Sequence, residues 1–168
     1  WPAERFADIA ARLHTRTGWK GVICGLASDQ TLAAQIKAKA PSVPFIDACG
    51  KTNLAEFAGT IDRASFIVTN DTSTVHFAAT LNRPAVVVLG GGHYGRFLPY
   101  PDVGAGHHIR SVNKRMSCYG CGWHCTFDIA PDDPAPCITG VSVDDVWRAV
   151  EAELDRQAAV PQSAGSDR

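Results

Sequence analysis

The chain has 168 residues, of which 45% are hydrophobic, enough for one domain with a real core. Its formal net charge is −1, so it carries no overall basic field to hold nucleic acid or an anionic membrane. No apolar run approaches the about 20 residues of a membrane-spanning helix, and the opening Trp1-Pro2-Ala3-Glu4-Arg5 lacks the basic start and apolar stretch of a signal peptide. Trp1 also reads as a cut rather than a natural first residue.

Phe6, Ile9, Ala10 and Leu13 fall at i, i+3, i+4 and i+7 and predict an amphipathic helix that Gly18 ends. Gly21 to Cys24 predicts a short buried strand, with Gly25 as the turn after it. A weaker helix follows over 28–39 and stops before Pro41; a second strand, interrupted by Pro44, is expected over 43–46. Asn53 and Glu56 form a capping-box pattern, and Leu54, Phe57, Ala58 and Ile61 supply the stripe of the helix it starts. Ser65 to Thr69 predicts a buried strand that runs into the polar turn 70–73 and a helix to about Leu81. Ala85 to Leu89 is a near-continuous apolar strand of the doubly covered, parallel kind, ended by Gly90-Gly91-Gly92. Residues 93–106 read as a loop, 108–112 as a further strand, and the cysteine-rich stretch after it as irregular. Ser142 and Asp145 look like a capping box for a last helix striped by Val143, Val146, Trp147, Val150 and Leu154. Residues 158–168 have no periodicity and predict a disordered tail, leaving 1–157 as the folded domain.

This alternation predicts an α/β fold: a Rossmann-like, three-layer domain with a mostly parallel sheet. In such sheets ligands bind beyond the carboxyl ends of the strands. The most informative of those ends is Thr69-Asn70-Asp71-Thr72-Ser73-Thr74-Val75-His76, which joins a buried strand to a helix. The N–H groups of Ser73, Thr74 and Val75 are expected free there. With the helix dipole and the hydroxyls of Thr72, Ser73 and Thr74 they would hold an anion such as a diphosphate. The plainer alternative is that Asp71 or Thr72 only caps the helix and His76 is a buried, satisfied histidine.

A strand, an Asp-Thr-Ser-x-x-His turn, an Ala-rich helix and then Val-Val-Val-Leu-Gly resembles glycosyltransferase family 9, which includes the lipopolysaccharide heptosyltransferases. Trp1-Pro2 with Phe6, Gly25 after the next strand, Gly50-Lys51-Thr52-Asn53-Leu54-Ala55-Glu56, Leu89-Gly90 leading to Pro99, and the cysteine tail resemble the family's segments in the family's order, over about residues 1–154.

The resemblance implies the C-terminal, donor-binding half of a GT-B fold. The donor would be a nucleotide-sugar of the ADP-heptose kind and the acceptor lipopolysaccharide or a related glycan. The reaction would be an inverting, metal-independent transfer needing no cofactor. It implies donor contacts from Asp71, Thr72, Ser73, Thr74 and His76, a nucleotide pocket lined by Lys51 and Thr52 with Gly25, and a cleft-facing loop at Gly90, Gly91, Gly92 and His93. Ser73 departs from the family's usual glycine; Lys51 reads equally as a solvated charge, and the glycines as a plain turn. The acceptor domain with its catalytic Asp base, one strand and a phosphate loop would lie before Trp1, so little or no transfer is expected of this chain alone. The cysteines are spread too unevenly for a disulfide scaffold, which reads as a cytoplasmic compartment, with a place at the inner membrane.

Six cysteines are unevenly spread: Cys24 and Cys49 stand apart, while Cys118, Cys121, Cys125 and Cys137 cluster. The cluster fits a structural zinc, with His124 as a substitute ligand, or two disulfides, or a reduced apolar staple. A non-catalytic nucleotide- or partner-binding module is the alternative function. A dinucleotide-dependent oxidoreductase is disfavoured because no Gly-x-Gly-x-x-Gly follows any strand.

Overall fold

The computed structural model describes residues 1–100, 108–130 and 133–159. The elements are α1 (Ala3–Thr17), β1 (Gly21–Ile23), a 3₁₀ turn (Ala27–Asp29), α2 (Gln30–Lys39), β2 (Phe45–Asp47), α3 (Leu54–Asp62), β3 (Ile67–Asn70), α4 (Ser73–Thr80), β4 (Ala85–Val88), β5 (Ile109–Val112), α5 (Pro136–Thr139) and α6 (Val143–Ala159). Every strand pair is parallel.

The architecture is built around β4. Ala85, Val86, Val87 and Val88 are all fully buried, because helices cover both faces. The alternation of the strand sends Ala85 and Val87 into one core with Ile61, Val75, Ala78 and Ala79 from α3 and α4. It sends Val86 and Val88 into another with Ile9 of α1 and Val146 and Val150 of α6. Both capping boxes form: Asn53 Oδ1 accepts from Glu56 N–H (3.0 Å), and Ser142 Oγ from Asp145 N–H (3.1 Å). α1 closes as expected at Gly18, whose φ of 73° lets its N–H return to the His14 carbonyl (2.8 Å).

The expected sheet is split in two. β1 and β2 pair only with each other, while β3-β4-β5 form a second sheet. The strand over 21–24 is also not buried: Val22 is 47% and its register partner Ile46 58% exposed. α1 and α2 pack on one another and α2 on β2, so this pair is covered on one face and its alternate side chains stand out on the other. α1 bridges the halves, with Ile9 in the core beside β4 and Ala7 in a small core with Ala40 and Val43.

Other boundaries shift for local reasons. β2 starts after Pro44, which cannot donate to a ladder, although its carbonyl accepts from Gly21 N–H (3.1 Å). The cysteine-rich stretch, expected to be irregular, contains one helical turn, α5, with Pro136 at its start and Cys137 within it. Residues 158 and 159, expected in the tail, belong to α6; the rest of that tail, and 101–107 of the expected loop, lie outside the described residues.

Candidate functional site

The turn between β3 and α4 sits at the carboxyl end of the larger sheet. Thr72 is the N-cap of α4: its hydroxyl accepts from Thr74 N–H (3.4 Å) and its carbonyl from Val75 N–H (3.2 Å). Of the three N–H groups expected free, these two are therefore used in capping. Ser73 N–H is the one left for a ligand, with the exposed hydroxyls and the positive end of the helix dipole around it. A second helix start stands alongside. The Trp1 nitrogen reaches Asn70 Oδ1 (3.2 Å), which places the beginning of α1 beside the end of β3. The N-cap of α1, Pro2, supplies no side-chain cap; Arg5 N–H is taken by the Pro2 carbonyl (3.1 Å), and the N–H groups of Ala3 and Glu4 are left without a cap.

His76 lies one turn into α4, next to the fully buried Val75. Its Nδ1 makes a short hydrogen bond with the Tyr100 hydroxyl. Its ring stands edge-on to Tyr100 (centroids 5.9 Å apart) and to Phe97 (6.5 Å). His93 continues the row, edge-on to Phe97 (6.0 Å) and to Trp123 (6.2 Å). Phe97 and Trp123 are about half exposed, so the row borders solvent. Burial, and after it the Asp71 carboxylate, push the Tyr100 phenol above its ordinary value.

Gly90, Gly91 and Gly92 are buried, and what approaches them is protein. A Cβ on Gly90 would come within 2.5 Å of the Trp123 ring, one on Gly91 within 2.4 Å of Tyr119, and one on Gly92 within 2.3 Å of Trp123. Gly120 and Gly122 donate to the carbonyls of Gly91 (2.9 Å) and Gly92 (3.0 Å). The triplet, expected to face a cleft, instead seats the 118–125 loop and so carries Trp123 to His93.

Gly25, Lys51 and Thr52 lie together at the carboxyl end of the smaller sheet. Gly50 N–H donates to the Gly25 carbonyl (2.9 Å), and Ala48 N–H to that of Ile23 (2.9 Å). Gly25 admits the Asp29 carboxylate, which takes the Leu26 N–H (2.7 Å). Lys51 Nζ donates to the Asp47 carbonyl (2.8 Å) and is otherwise exposed. Among the described residues no hydrogen bond or ion pair joins this group to the Asp71–His76 turn. The buried Cys49 beneath it has its thiol pushed up to about 11, by burial and then by Asp47.

Cys118, Cys121, Cys125 and Cys137 line one small apolar cavity of about 20 Å³ together with Trp123 and Phe127. All are free thiols, and Cys137 Sγ accepts from Gly91 N–H (3.4 Å). The two disulfides open to the cluster from its sequence are absent. As the thiols stand, no three His, Cys, Asp or Glu side chains among the described residues are grouped to hold a metal ion.

Sequence reasoning missed Tyr100, Phe97 and Trp123. Their signal was faint: aromatic residues in Gly- and Pro-rich loops, where no period marks a face.

The profile of "Glycosyltransferase family 9 (heptosyltransferase)" matches residues 1–118, well over half the chain. The chain belongs to glycosyltransferase family 9. Over 93 residues, 54% of its length, it is 32% identical to lipooligosaccharide heptosyltransferase 2 of Haemophilus influenzae and to lipopolysaccharide heptosyltransferase 2 of Escherichia coli. The matched stretch spans only 27% and 26% of those two proteins. Two solved structures share the fold of this family 9 chain. The E. coli ADP-heptose lps heptosyltransferase II matches with a TM-score of 0.69 at 24% identity, over 95% of this chain and 43% of that one. The family 9 glycosyltransferase of Veillonella parvula matches with a TM-score of 0.67 at 26% identity, over 93% and 42%. The α/β, parallel-sheet fold expected for part of a GT-B glycosyltransferase is thus the fold observed. Among the described residues no helix is long and apolar enough to cross a membrane.

Proposed function

We propose that this chain is the donor-binding part of a heptosyltransferase that builds lipopolysaccharide or a related glycan, taking an ADP-linked heptose as donor. The observation that carries this is the meeting of two helix starts, those of α1 and α4, at the carboxyl end of β3, with His76 behind them. Open N–H groups at helix starts suit a diphosphate, and they matter most as it leaves, when negative charge collects on it. In an inverting transfer the acceptor hydroxyl bonds to the anomeric carbon while the bond to the diphosphate breaks. The electron pair departs with the nucleotide, and the hydroxyl proton goes to a base.

Asp71, Thr72, Ser73, Thr74 and His76 would contact the diphosphate and sugar. Lys51, Thr52 and Gly25 would border the nucleotide. Gly90 would act by seating Trp123 beside His93, and Gly91 by seating Tyr119 of the same loop. The base and the acceptor glycan belong to a further domain in this reading, residues 1–157 being the donor domain. The site of action would be the cytoplasmic face of the inner membrane.

Thermal unfolding with ADP-heptose, and with GDP-, UDP- and CMP-sugars as controls, tests the reading. ADP-heptose at 100 times its Kd should stabilise the chain by about 2.7 kcal/mol, and His76→Ala should reduce that gain. Stabilisation by none of the four sugars would replace the reading with a non-catalytic, partner-binding module.

A further inference from the structure

The donor reading uses His76 but leaves open which of its nitrogens carries a proton. We propose that Tyr100 fixes this: its phenol donates to Nδ1, so the imidazole proton sits on Nε2 and His76 presents an N–H donor at its other nitrogen. The inference rests on the donor reading only for its purpose; the tautomer itself stands on the geometry.

Nδ1 and the Tyr100 oxygen are within a short hydrogen bond, with the two rings nearly perpendicular at 85°. Two directions are open in principle, since a neutral imidazole and a phenol each donate and accept. The better donor is the phenol, which ionises near 10, and the better acceptor is the imidazole nitrogen, protonated near 6.5, so O–H to N is the stronger arrangement. The Tyr100 ring packs against the core that contains Val75, which limits its freedom to turn away. Burial, and then the negative charge of Asp71, keep the phenol protonated at neutral pH, so the donor is always present. With Nδ1 occupied as an acceptor, the neutral ring carries its hydrogen on Nε2. That nitrogen has no hydrogen-bond partner among the described residues. An N–H there attracts a phosphate oxygen or a sugar hydroxyl; a lone pair there would repel a phosphate. Tyr100 is thus a positioning residue, acting through His76.

Long-range ¹H–¹⁵N correlation spectra of the histidine side chains at pH 8, where an ordinary imidazole is neutral, read the tautomer directly. The expected result is a proton on His76 Nε2 in the wild type and a loss of that signature's purity in Tyr100→Phe, which keeps the ring and removes only the hydroxyl. Tyr100→Phe should also weaken ADP-heptose binding by about tenfold, as loss of one well-placed donor does, with no further loss when combined with His76→Ala. A proton on Nδ1 in the wild type overturns the proposal, and this outcome needs no variant to fold. An unchanged spectrum with unchanged ADP-heptose affinity in Tyr100→Phe also overturns it. If the tautomer follows Tyr100 but the wild type binds no ADP-heptose, the donor reading fails and the role of Tyr100 in setting the tautomer stands.

Discussion

Gly91 matters for the side chain it does not have. Its missing Cβ is where the Tyr119 ring lies, and that ring is held from its far side by the hydroxyl's bond to the Lys114 carbonyl (2.5 Å). The ring cannot swing clear without breaking that bond or moving the 118–125 loop. Gly91→Ala should therefore destabilise by about 1–3 kcal/mol, the usual cost of overpacking, seen as a lower midpoint in urea unfolding. Three glycines after a buried strand read in the sequence as room for a ligand, because a glycine's freedom says that something comes close without saying what. The identity of the neighbour is a tertiary fact. The same limit hid Tyr100: a residue 24 positions from His76 leaves no local trace of their bond. Asp71, Thr72 and His76 were legible because a strand, a capping turn and a helix follow each other without interruption.

At the scale of elements, what the periodicity of α6 omits is as telling as what it gives. The apolar stripe through Val146 and Val150 is where the helix meets β4, as the spacing implied. Glu153 lies on that same side and is fully buried, a position no hydrophobic pattern assigns to a carboxylate. It is held by Arg110 Nε of β5 (3.2 Å) and Arg156 Nε (2.9 Å), while Arg156 also reaches His108. The carboxylate thus ties α6 to β5 with its charge compensated. Glu153→Gln keeps the shape and removes the charge, leaving two guanidinium groups without their counter-ion. Removing one partner of a buried pair costs about 3–5 kcal/mol; because both arginines keep about a third of their side chains in solvent, the lower end is expected here. Equilibrium unfolding in urea measures it. A loss below about 1 kcal/mol would mean that the pairing contributes no more than a surface salt bridge.

At the scale of the molecule, the two sheets are unequal in how they are held. β3-β4-β5 has a helical layer on each face and valines buried through its middle strand. β1-β2 has two strands of three residues, one covered face, and a core of Ala7, Ala40 and Val43 with Ala11, Ile36 and Phe45 around it. Alanine buries little area, and a two-stranded sheet is marginal by itself, so the smaller sheet depends on α1, which it shares with the larger core. The sequence marked the longer run Ala85–Leu89 as doubly covered, as it is, but Gly-Val-Ile-Cys also read as a buried strand, so the weakness of the smaller sheet did not show. In so short an apolar run, only the layers packed on it decide whether one face or both are buried. The consequence is local opening. Ladder amides of β1 and β2 should exchange with deuterium through sub-global fluctuations, at least about tenfold faster than those of β3 and β4, which should open only with the whole domain. Equal protection in the two sheets would mean that α1 couples them into a single cooperative unit, and that the exposed Val22 and Ile46 weaken nothing. If ADP-heptose bridges the turn at Asp71 and the turn at Lys51, adding it should slow exchange in β1-β2 more than in β3-β4, because a ligand held by both ends must pull the weaker sheet into the cooperative unit of the stronger.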